Sequence, residues 1–352
     1  MTVIPFPKAA PAPKSNGLSR RRMLSIVAAT AGLPLAIGGL RAIAPGARFH
    51  SWSGEALDAQ ASLHLWSPDG AAAERMIART RVEIARIERI FSLFRADSEI
   101  STLNRDGVIE RPSRDLADLV AAGQRLGALS RGAYDISVQP LWRFYEALFW
   151  RQDGDRDGIE GRALDVARAV VDYRGIEAER RRIAFARPGM GITLNSVAQG
   201  YLTDRVADML RTEGFEHVYV DLGEIRVLGA HPEGRPWQVA IRDGAKPGGI
   251  ERTLAVADEA VSVSGGYGTV FEPTGRFHHI FDPATGLSAA KMRDVTVVGA
   301  RAVDADGLST AIYVAGEERA PALLGAYPGS RAIVTRLDGS SVTLTANGPI
   351  SV

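Results

Sequence analysis

The sequence contains no cysteine, so disulfide bonds and cysteine-based metal or redox motifs are excluded. It also lacks the Gly-x-Ser-x-Gly motif of many hydrolases, the His-Glu-x-x-His motif of zinc proteases and the kinase signature motifs. Neither the dinucleotide fingerprint nor the P-loop is present. Any enzymatic activity must therefore depend on a less common arrangement of residues.

Acidic residues are absent before Glu55, and the six charged residues that precede Arg48 are all basic. The rest of the chain holds 36 of the 42 basic residues and all 41 acidic ones. A slightly acidic body has no general attraction for nucleic acid, so we expect no nucleic-acid partner. With 352 residues, 45% hydrophobic and 24% charged, the composition is typical of a globular protein of one large or two ordinary domains.

The basic N-terminus resembles a twin-arginine export signal. Arg20 and Arg21 lie in the segment Ser-Arg-Arg-Arg-Met-Leu, ahead of an uncharged run at 24–40. We therefore expect residues 1–47 to be a twin-arginine-type export signal and linker, residues 52–352 to be the functional domain, and the mature protein to be periplasmic. The alternative is an uncleaved anchor helix that keeps the protein at the membrane, since the run approaches the roughly 17 residues that span a bilayer. Its glycines and Pro34 disfavour that alternative.

Hydrophobic periodicity predicts a mixed fold. Apolar residues at helical spacing predict helices at 70–92, 116–129, 197–211, 305–314 and 317–324. Short apolar runs between turns predict antiparallel strands at 61–66, 217–222, 225–228, 237–242, 254–256, 260–263, 278–281, 295–298, 332–335 and 342–344. This order predicts an α+β fold, a single large two-lobed domain with antiparallel sheets and packed helices.

A possible cation site lies in the segment Asp-Gly-Leu-Ser-Thr at 306–310. If this segment opens a helix, Asp306 and Thr310 stand on one face, where a carboxylate and a hydroxyl offer hard oxygen ligands to Mg²⁺. The alternative is that Asp306 caps the helix while Thr310 packs. Asp304 could also serve as the cap, so the residues alone do not decide between the two.

Three further segments allow two interpretations each. His278 and His279 begin a predicted strand, where adjacent residues face opposite ways and only one histidine can face a site. The segment Ser-Val-Ser-Gly-Gly-Tyr-Gly at 262–268 is either an anion-binding loop or a flexible turn. The segment from Thr193 to Tyr201 leads into a helix, as either an anion site or a cap.

The order of these segments resembles the FAD:protein FMN transferase family, also called ApbE. The resemblance covers residues 56–345 and rests on six ordered motifs: Phe-Ser-Leu-Phe-Arg at 91–95 with Ser-Glu-Ile at 98–100, Ala-Tyr-Asp-Ile-Ser-Val at 133–138, 194–201 with Asp204, Ser-Gly at 264–265, His-Ile at 279–280 with Asp-Pro at 282–283, and 306–310. The leader and the variants Ser-Val-Ala-Gln-Gly-Tyr and Asp-Leu-Gly-Glu-Ile are similar to the NosX branch, which is associated with nitrous oxide respiration.

The resemblance implies Mg-dependent transfer of FMN from FAD to a serine or threonine hydroxyl of an exported or membrane redox protein, with release of AMP. It implies a cation held by Asp306, Thr310 and the backbone carbonyl of Ser196, and His279 as the catalytic base. The implied partners are a flavin-acceptor protein, with a NosR-like membrane flavoprotein as one candidate, and the twin-arginine export machinery. The implied FAD contacts are Leu57, Phe94, Ala133, Tyr134, Asp135, Thr193, Gln199, Ser264, Gly265 and the backbone of Ile280.

The chain departs from the family pattern at several positions. Leu57 begins a segment that replaces the usual Met-Gly-Thr, Thr193 replaces an aspartate, Gln199 replaces a lysine or glutamate, and Gly266 replaces an acidic residue. The turn at Gly223-Glu224 is one residue shorter than the usual Gly-Gly-Asp. Two alternative functions therefore stay open: an FAD diphosphatase that gives FMN and AMP, and a non-catalytic flavin-binding maturation factor.

Overall fold

A computed structural model describes residues 46–150, 161–244, 246 and 248–350. The basic leader with Arg20 and Arg21 lies outside the described residues, so the predicted export signal stays a prediction. Within the described ranges, none of the helices combines the length and apolar character needed to cross a bilayer.

A nine-stranded antiparallel sheet is the centre of the fold. The described part of the chain has fourteen strands in three sheets: β1 Arg48–Ala56, β2 Ala59–Ser67, β3 Val108–Glu110, β4 Ile176–Glu179, β5 Arg182–Phe185, β6 Val218–Asp221, β7 Ile225–Leu228, β8 Trp237–Arg242, β9 Ile250–Val256, β10 Ala260–Gly265, β11 Asp294–Gly299, β12 Arg331–Thr335, β13 Ser341–Thr345 and β14 Gly348–Ile350. The sheet order is β1-β2-β6-β7-β10-β11-β12-β13-β14, while β3-β5-β4 and β8-β9 form two smaller sheets.

Eight helices accompany the strands in the described part of the chain. They are α1 Gly70–Phe91, α2 Glu99–Asp106, α3 Arg114–Leu129, α4 Gln139–Trp150, α5 Arg162–Arg168, α6 Asn195–Thr212, α7 Ala302–Ala315 and α8 Ala320–Leu324. The main hydrophobic core lies between the apolar faces of α1, α3, α6 and α7 and the central strands. α7 packs on β10 and β11 and also crosses α6, so it joins the sheet to the helical layer.

The predicted α+β class, with antiparallel sheets and packed helices in one domain, is confirmed. The predicted bounds of β7 and β8 agree with the structure. Several elements were not predicted: β1, α2, β3, α4, α5, β4, β5 and β14. α4 was not predicted, although its apolar residues follow helical spacing as clearly as those of α1 and α3.

Two predicted elements are wrong in detail. Residues 278–281 form no strand, only isolated bridges from His278 to Val270 and from Phe281 to Ser288. The His278 ring accepts the Ile280 N–H at 3.3 Å, so this donor is not available to a strand ladder. The segment 317–324 is a 3₁₀ turn, Glu317–Arg319, followed by α8, whose first turn contains Pro321.

Candidate active site

The N-terminus of α7 is capped by an aspartate from α6. Asp204 accepts the backbone N–H groups of Ala302 and Val303, both at 3.0 Å. Arg226 donates to the same carboxylate at 2.7 Å and balances its charge. The prediction that 306–310 opens a helix is therefore wrong, because α7 begins one turn earlier. Asp306 does not cap α7, so its carboxylate can contact groups outside that helix.

The Asp306 carboxylate converges with the Ser196 carbonyl. The N–H of Gly200 donates to Asp306 Oδ2 at 3.1 Å. In an α-helix this same N–H points towards the carbonyl four residues earlier, which is that of Ser196. A side chain at Gly200 would begin 2.4 Å from the Ala302 carbonyl oxygen, so only glycine permits α6 and α7 to approach so closely. The close crossing thus brings together two of the three predicted cation ligands, which lie 110 residues apart in the sequence.

A chain of buried hydroxyl groups orients the third predicted ligand, Thr310. Ser309 donates to the Asp306 carbonyl at 2.9 Å, Ser264 Oγ lies 2.8 Å from Ser309 Oγ, and Thr310 Oγ1 lies 2.9 Å from Ser264 Oγ. Each hydroxyl has one proton to donate. Once Ser309 donates to the carbonyl, Ser264 must donate to Ser309, and Thr310 to Ser264. The lone pairs of Thr310 Oγ1 are then available to a ligand.

The segment at 133–135 contacts the first turn of α6 through Tyr134. The Tyr134 hydroxyl lies 2.9 Å from Ser196 Oγ, at the first turn of α6. Burial and the nearby Asp306 raise the pKa of Tyr134, so the phenol is neutral. Gln199 lies against Gly223, where an added Cβ would stand 2.5 Å from the Gln199 Cδ. The structure therefore groups Tyr134, Ser196, Gln199, Ser264, Asp306 and Thr310.

The electrostatics of this group are dominated by two buried carboxyls. Burial raises the pKa of Asp306, and the nearby Asp204 charge raises it further. Burial and the Asp306 charge likewise raise the pKa of Glu224. Within the described part of the chain, no arginine, lysine or histidine forms an ion pair with either carboxyl. Two buried carboxyls without a basic partner favour the binding of a cation or of a proton.

The donor set fits Mg²⁺ in kind. A carboxylate, a hydroxyl lone pair and a backbone carbonyl are the hard oxygen ligands this ion prefers, and Mg²⁺ commonly takes substrate phosphates for its other positions. The described residues contain no group of three or more histidine, aspartate or glutamate side chains able to hold a metal on their own. A cation here would therefore depend on Asp306, Thr310, the Ser196 carbonyl and oxygens of a bound substrate.

The two histidines have different hydrogen bonds. His279 Nδ1 lies 3.1 Å from the Thr269 carbonyl, which can only accept, so Nδ1 bears the proton and Nε2 is the basic atom. Burial and the neighbouring His278 lower the pKa of His279 to about 4, so the ring is neutral near pH 7. His278 donates from Nε2 to the Ala289 carbonyl at 2.8 Å and accepts from Ile280 through Nδ1. His278 is therefore structural, and His279 has the chemistry of a base.

Two predicted FAD contacts, Phe94 and Leu57, have no hydrogen bond to the residues around Asp306. Phe94 is 72% exposed in the turn after α1, which leaves its ring free to stack on a ligand. Leu57 stands in the two-residue turn between β1 and β2, where Leu57 and Asp58 both have positive φ. The Leu57 N–H donates to Glu88 at 3.2 Å, which makes the turn part of the α1 packing.

Other predicted contacts have structural partners. Asp135 accepts from the Ser137 N–H at 2.7 Å, the Ser137 hydroxyl at 2.6 Å and the Tyr173 N–H at 3.0 Å, so its carboxylate organises a loop. Thr193 accepts the Asn195 N–H at 3.3 Å and so supports the start of α6.

The backbone groups of Ile280, predicted to contact FAD, are also bonded within the protein. Its N–H donates to His278, and its carbonyl accepts from Ala289 at 2.8 Å. The Ala133 N–H donates to the Ser130 carbonyl at 3.3 Å, just after α3. Gly265 ends β10 and lies so close to the Tyr267 ring that an added Cβ would stand 2.5 Å from it.

Sequence reasoning gave no role to three residues of the site. Asp204 belonged to a motif but had no function assigned, and Ser309 stood beside Thr310 unremarked. Glu224 lies in the turn between the buried strands β6 and β7, and a charged residue between two mostly apolar strands was the available signal.

Comparisons with known proteins show which family the chain is similar to. The model of the ApbE family matches residues 57–334. The FAD:protein FMN transferase of Vibrio cholerae is 33% identical over 241 residues, which cover 66% of this chain and 71% of the relative. The FAD:protein FMN transferase of Haemophilus influenzae is 32% identical over 242 residues, which cover 65% of this chain and 69% of the relative.

Solved structures give the same result. A histidine-to-glycine mutant of the flavin transferase ApbE from Vibrio cholerae has a TM-score of 0.71 at 27% identity, covering 84% of this chain and 97% of that one. The apo flavinyl transferase ApbE from Pseudomonas stutzeri has a TM-score of 0.69 at 26% identity, covering 84% and 94%. The family match spans most of the sequence, and the fold is shared along nearly the whole length of these structures. This chain therefore belongs to the ApbE family.

Proposed function

We propose that this chain transfers FMN from FAD to a serine or threonine hydroxyl of an acceptor protein and releases AMP. The observation that carries the proposal is the placement of Asp306 and Thr310 one helical turn apart on α7, with the Asp306 carboxylate bonded to the Gly200 N–H one turn after Ser196, which offers oxygen donors of the kind that a cation-bound diphosphate requires. The curated relatives named above are FAD:protein FMN transferases, which supports assignment to the same class of transferase.

The reaction is a displacement at phosphorus. The acceptor hydroxyl oxygen forms a bond to the phosphorus of the FMN half, and the bond from that phosphorus to the bridging oxygen breaks, so AMP leaves with this oxygen. The hydroxyl proton passes to His279 Nε2, which is the unprotonated atom of a neutral ring. Thr269 holds the ring in this tautomer through its carbonyl. The products are a phosphoester-linked flavin and AMP.

Asp306, Thr310 and the Ser196 carbonyl would hold Mg²⁺ beside the diphosphate. The ion supplies charge neutralisation and alignment of the phosphates when bound. Ser309 and Ser264 orient the Thr310 hydroxyl, and Gly200 orients the Asp306 carboxylate. The exposed ring of Phe94 offers a stacking surface for the flavin.

The setting of the reaction is also part of the proposal. The twin-arginine leader supports export to the periplasm, where an exported or membrane redox protein, such as a NosR-like flavoprotein, would be the acceptor. The sequence variants shared with the NosX branch support a role in maturation of a nitrous oxide respiration component.

One assay tests the function. The purified chain is incubated with FAD and Mg²⁺, with and without an acceptor protein, while AMP and protein-bound flavin are measured. AMP release that requires the acceptor and labels it supports the transferase. AMP release without an acceptor would identify an FAD diphosphatase, and FAD binding with no AMP in either case would identify a flavin-binding maturation factor.

A further inference from the structure

Glu224 is a buried carboxyl that no structural partner accounts for fully. It stands directly before β7 and is 5% exposed. Its Oε2 is inaccessible to solvent and has no hydrogen-bond partner among the described residues. Burying an unpaired carboxylate oxygen is costly, so such an atom requires a specific explanation.

The backbone holds Glu224 firmly. Its carbonyl accepts the Thr203 hydroxyl at 3.1 Å and the Leu222 N–H at 3.2 Å. The preceding Gly223 has a φ of +102°, a conformation that favours glycine, and it packs under Gln199 of α6. The conformation of this turn therefore fixes the direction in which the Glu224 side chain leaves the backbone.

The side chain of Glu224 belongs to the same polar network as Thr310. The Ser262 hydroxyl is near enough to the Glu224 carboxyl to lower its pKa, against the larger effect of burial. Ser262 Oγ lies 3.2 Å from Ser309 Oγ, and Ser309 is joined through Ser264 to Thr310. Asp306 also acts electrostatically on Glu224. Glu224 is thus linked to the network of the predicted cation ligands through Ser262 and through the Asp306 charge, while its Oε2 has no hydrogen-bond partner among the described residues.

We propose that Glu224 is the second carboxylate of the cation site, with Oε2 as a ligand of the divalent ion that Asp306 and Thr310 hold. This inference rests on the proposed function, because it needs that cation site to exist. Two carboxylates neutralise the two charges of the ion, whereas Asp306 alone leaves one charge unbalanced. The protein is therefore expected to bind a divalent cation before FAD arrives.

The test measures cation binding without turnover. Mn²⁺, a hard divalent ion that gives an electron paramagnetic resonance signal when free, is titrated into the full chain in the absence of FAD. Glu224→Gln preserves the size of the side chain and removes its charge, and it should weaken Mn²⁺ binding at least tenfold. The matched control is Glu259→Gln, which removes a carboxylate just before β10 that pairs with Arg331 at 2.6 Å. The control should bind Mn²⁺ as the wild type does.

A second readout separates the ligand role from a fold defect. In metal-free buffer, Glu224→Gln should melt no lower than wild type, since it removes an unpaired buried carboxylate. Saturating Mn²⁺ should then raise the Tm of wild type more than that of Glu224→Gln. If Glu224→Gln does not fold, Glu224→Asp, which retracts the carboxylate while keeping its charge, should fold and show the same weakening.

The outcomes distinguish the inference from the proposed function. If Asp306→Asn loses Mn²⁺ binding while Glu224→Gln binds within twofold of wild type, the role of Glu224 is overturned and the cation site stands. If wild type binds no Mn²⁺, or if Asp306→Asn binds it as wild type does, the cation site fails and the inference fails with it.

Discussion

At the scale of single residues, Asp306 is the most informative position. It has no capping role, because Asp204 caps α7, so its removal should affect chemistry more than folding. Asp306→Asn keeps one oxygen and deletes the charge that holds a hard cation. Transfer should fall at least a hundredfold and recover partly in excess Mg²⁺, while FAD binding changes much less. AMP release as a function of Mg²⁺ concentration measures this.

Thr310→Val should give a milder form of the same defect, since it removes a neutral ligand. A destabilised Asp306→Asn protein with full turnover at permissive temperature would contradict the cation site. Melting temperatures of both variants serve as the control for folding.

His279 gives a prediction about pH. Its pKa in the folded protein is lowered to about 4 by burial and by His278, against an ordinary value near 6.5. Below pH 6.5 the unfolded chain takes up a proton at this ring that the folded chain refuses, so stability falls as the pH drops from 6.5 towards 4. Wild type should therefore lose more Tm than His279→Gln between pH 7.5 and 5, by about 2 °C or more.

The comparison between the two proteins is the control, because all other titrating groups are common to both. Equal losses of Tm on acidification would place the pKa of His279 near its ordinary value.

At the scale of elements, the crossing of α6 and α7 decides the geometry of the site. A Cβ at Gly200 would meet the backbone of Ala302, which cannot move away as a side chain can. Gly200→Ala should therefore destabilise the protein by about 1–3 kcal/mol, the usual cost of overpacking, and reduce transfer even at temperatures where the variant is folded. Chemical denaturation and AMP release measure the two effects.

The control for this crossing is another helical glycine. An added Cβ at Gly127 would stand 3.0 Å from the Tyr173 ring, a side chain that can shift. Gly127→Ala should therefore cost less stability than Gly200→Ala and leave transfer near the wild-type rate. Equal effects of the two substitutions would show that the crossing has no special role.

Elements also mark the limit of what the sequence predicts. The bounds of β7 and β8 were predicted correctly, because a short apolar run between two turns is typical of a buried strand. α4 was not predicted although its apolar residues follow helical spacing. Residues 278–281 were wrongly predicted as a strand because the His278 ring accepts the Ile280 N–H.

The site shows the same limit. The grouping of Ser196, Asp306 and Thr310 came from a family resemblance, since no local pattern reveals that residues 110 positions apart meet at one glycine. The unpaired oxygen of Glu224 is a property of three-dimensional packing and has no sequence signal of its own beyond a charge in the turn between two mostly apolar strands.

At the scale of the whole molecule, the sheet joins distant parts of the chain. β2 pairs with β6, so that Ser62 stands opposite Asp221, and the sheet is complete only when β14 has formed. Such long-range pairing closes late, after most of the chain is available. The twin-arginine route predicted from the sequence carries folded proteins, and a chain without cysteine forms no disulfide bond during folding.

Export is therefore predicted to depend on the paired arginines. Replacing Arg20 and Arg21 with lysines should hold the protein in the cytoplasm while its folded domain and its activity in extracts are unchanged. Fractionation followed by immunoblotting measures the distribution, and a lysine substitution at Arg41, beyond the motif, is the control. An unchanged periplasmic yield would contradict the twin-arginine assignment.

The cap on α7 has a consequence for how the molecule opens. Asp204 is fully buried and ties α6 to the first two N–H groups of α7 and to Arg226 on β7. These links make α6, α7 and β7 one cooperative unit, so the amides of Gly200, Ala302 and Val303 should exchange with solvent deuterium only when the core unfolds. Ser196, Asp306 and Thr310, the proposed cation ligands, should then stay together in the folded protein, and an incoming substrate would meet the proposed oxygen donors already in place.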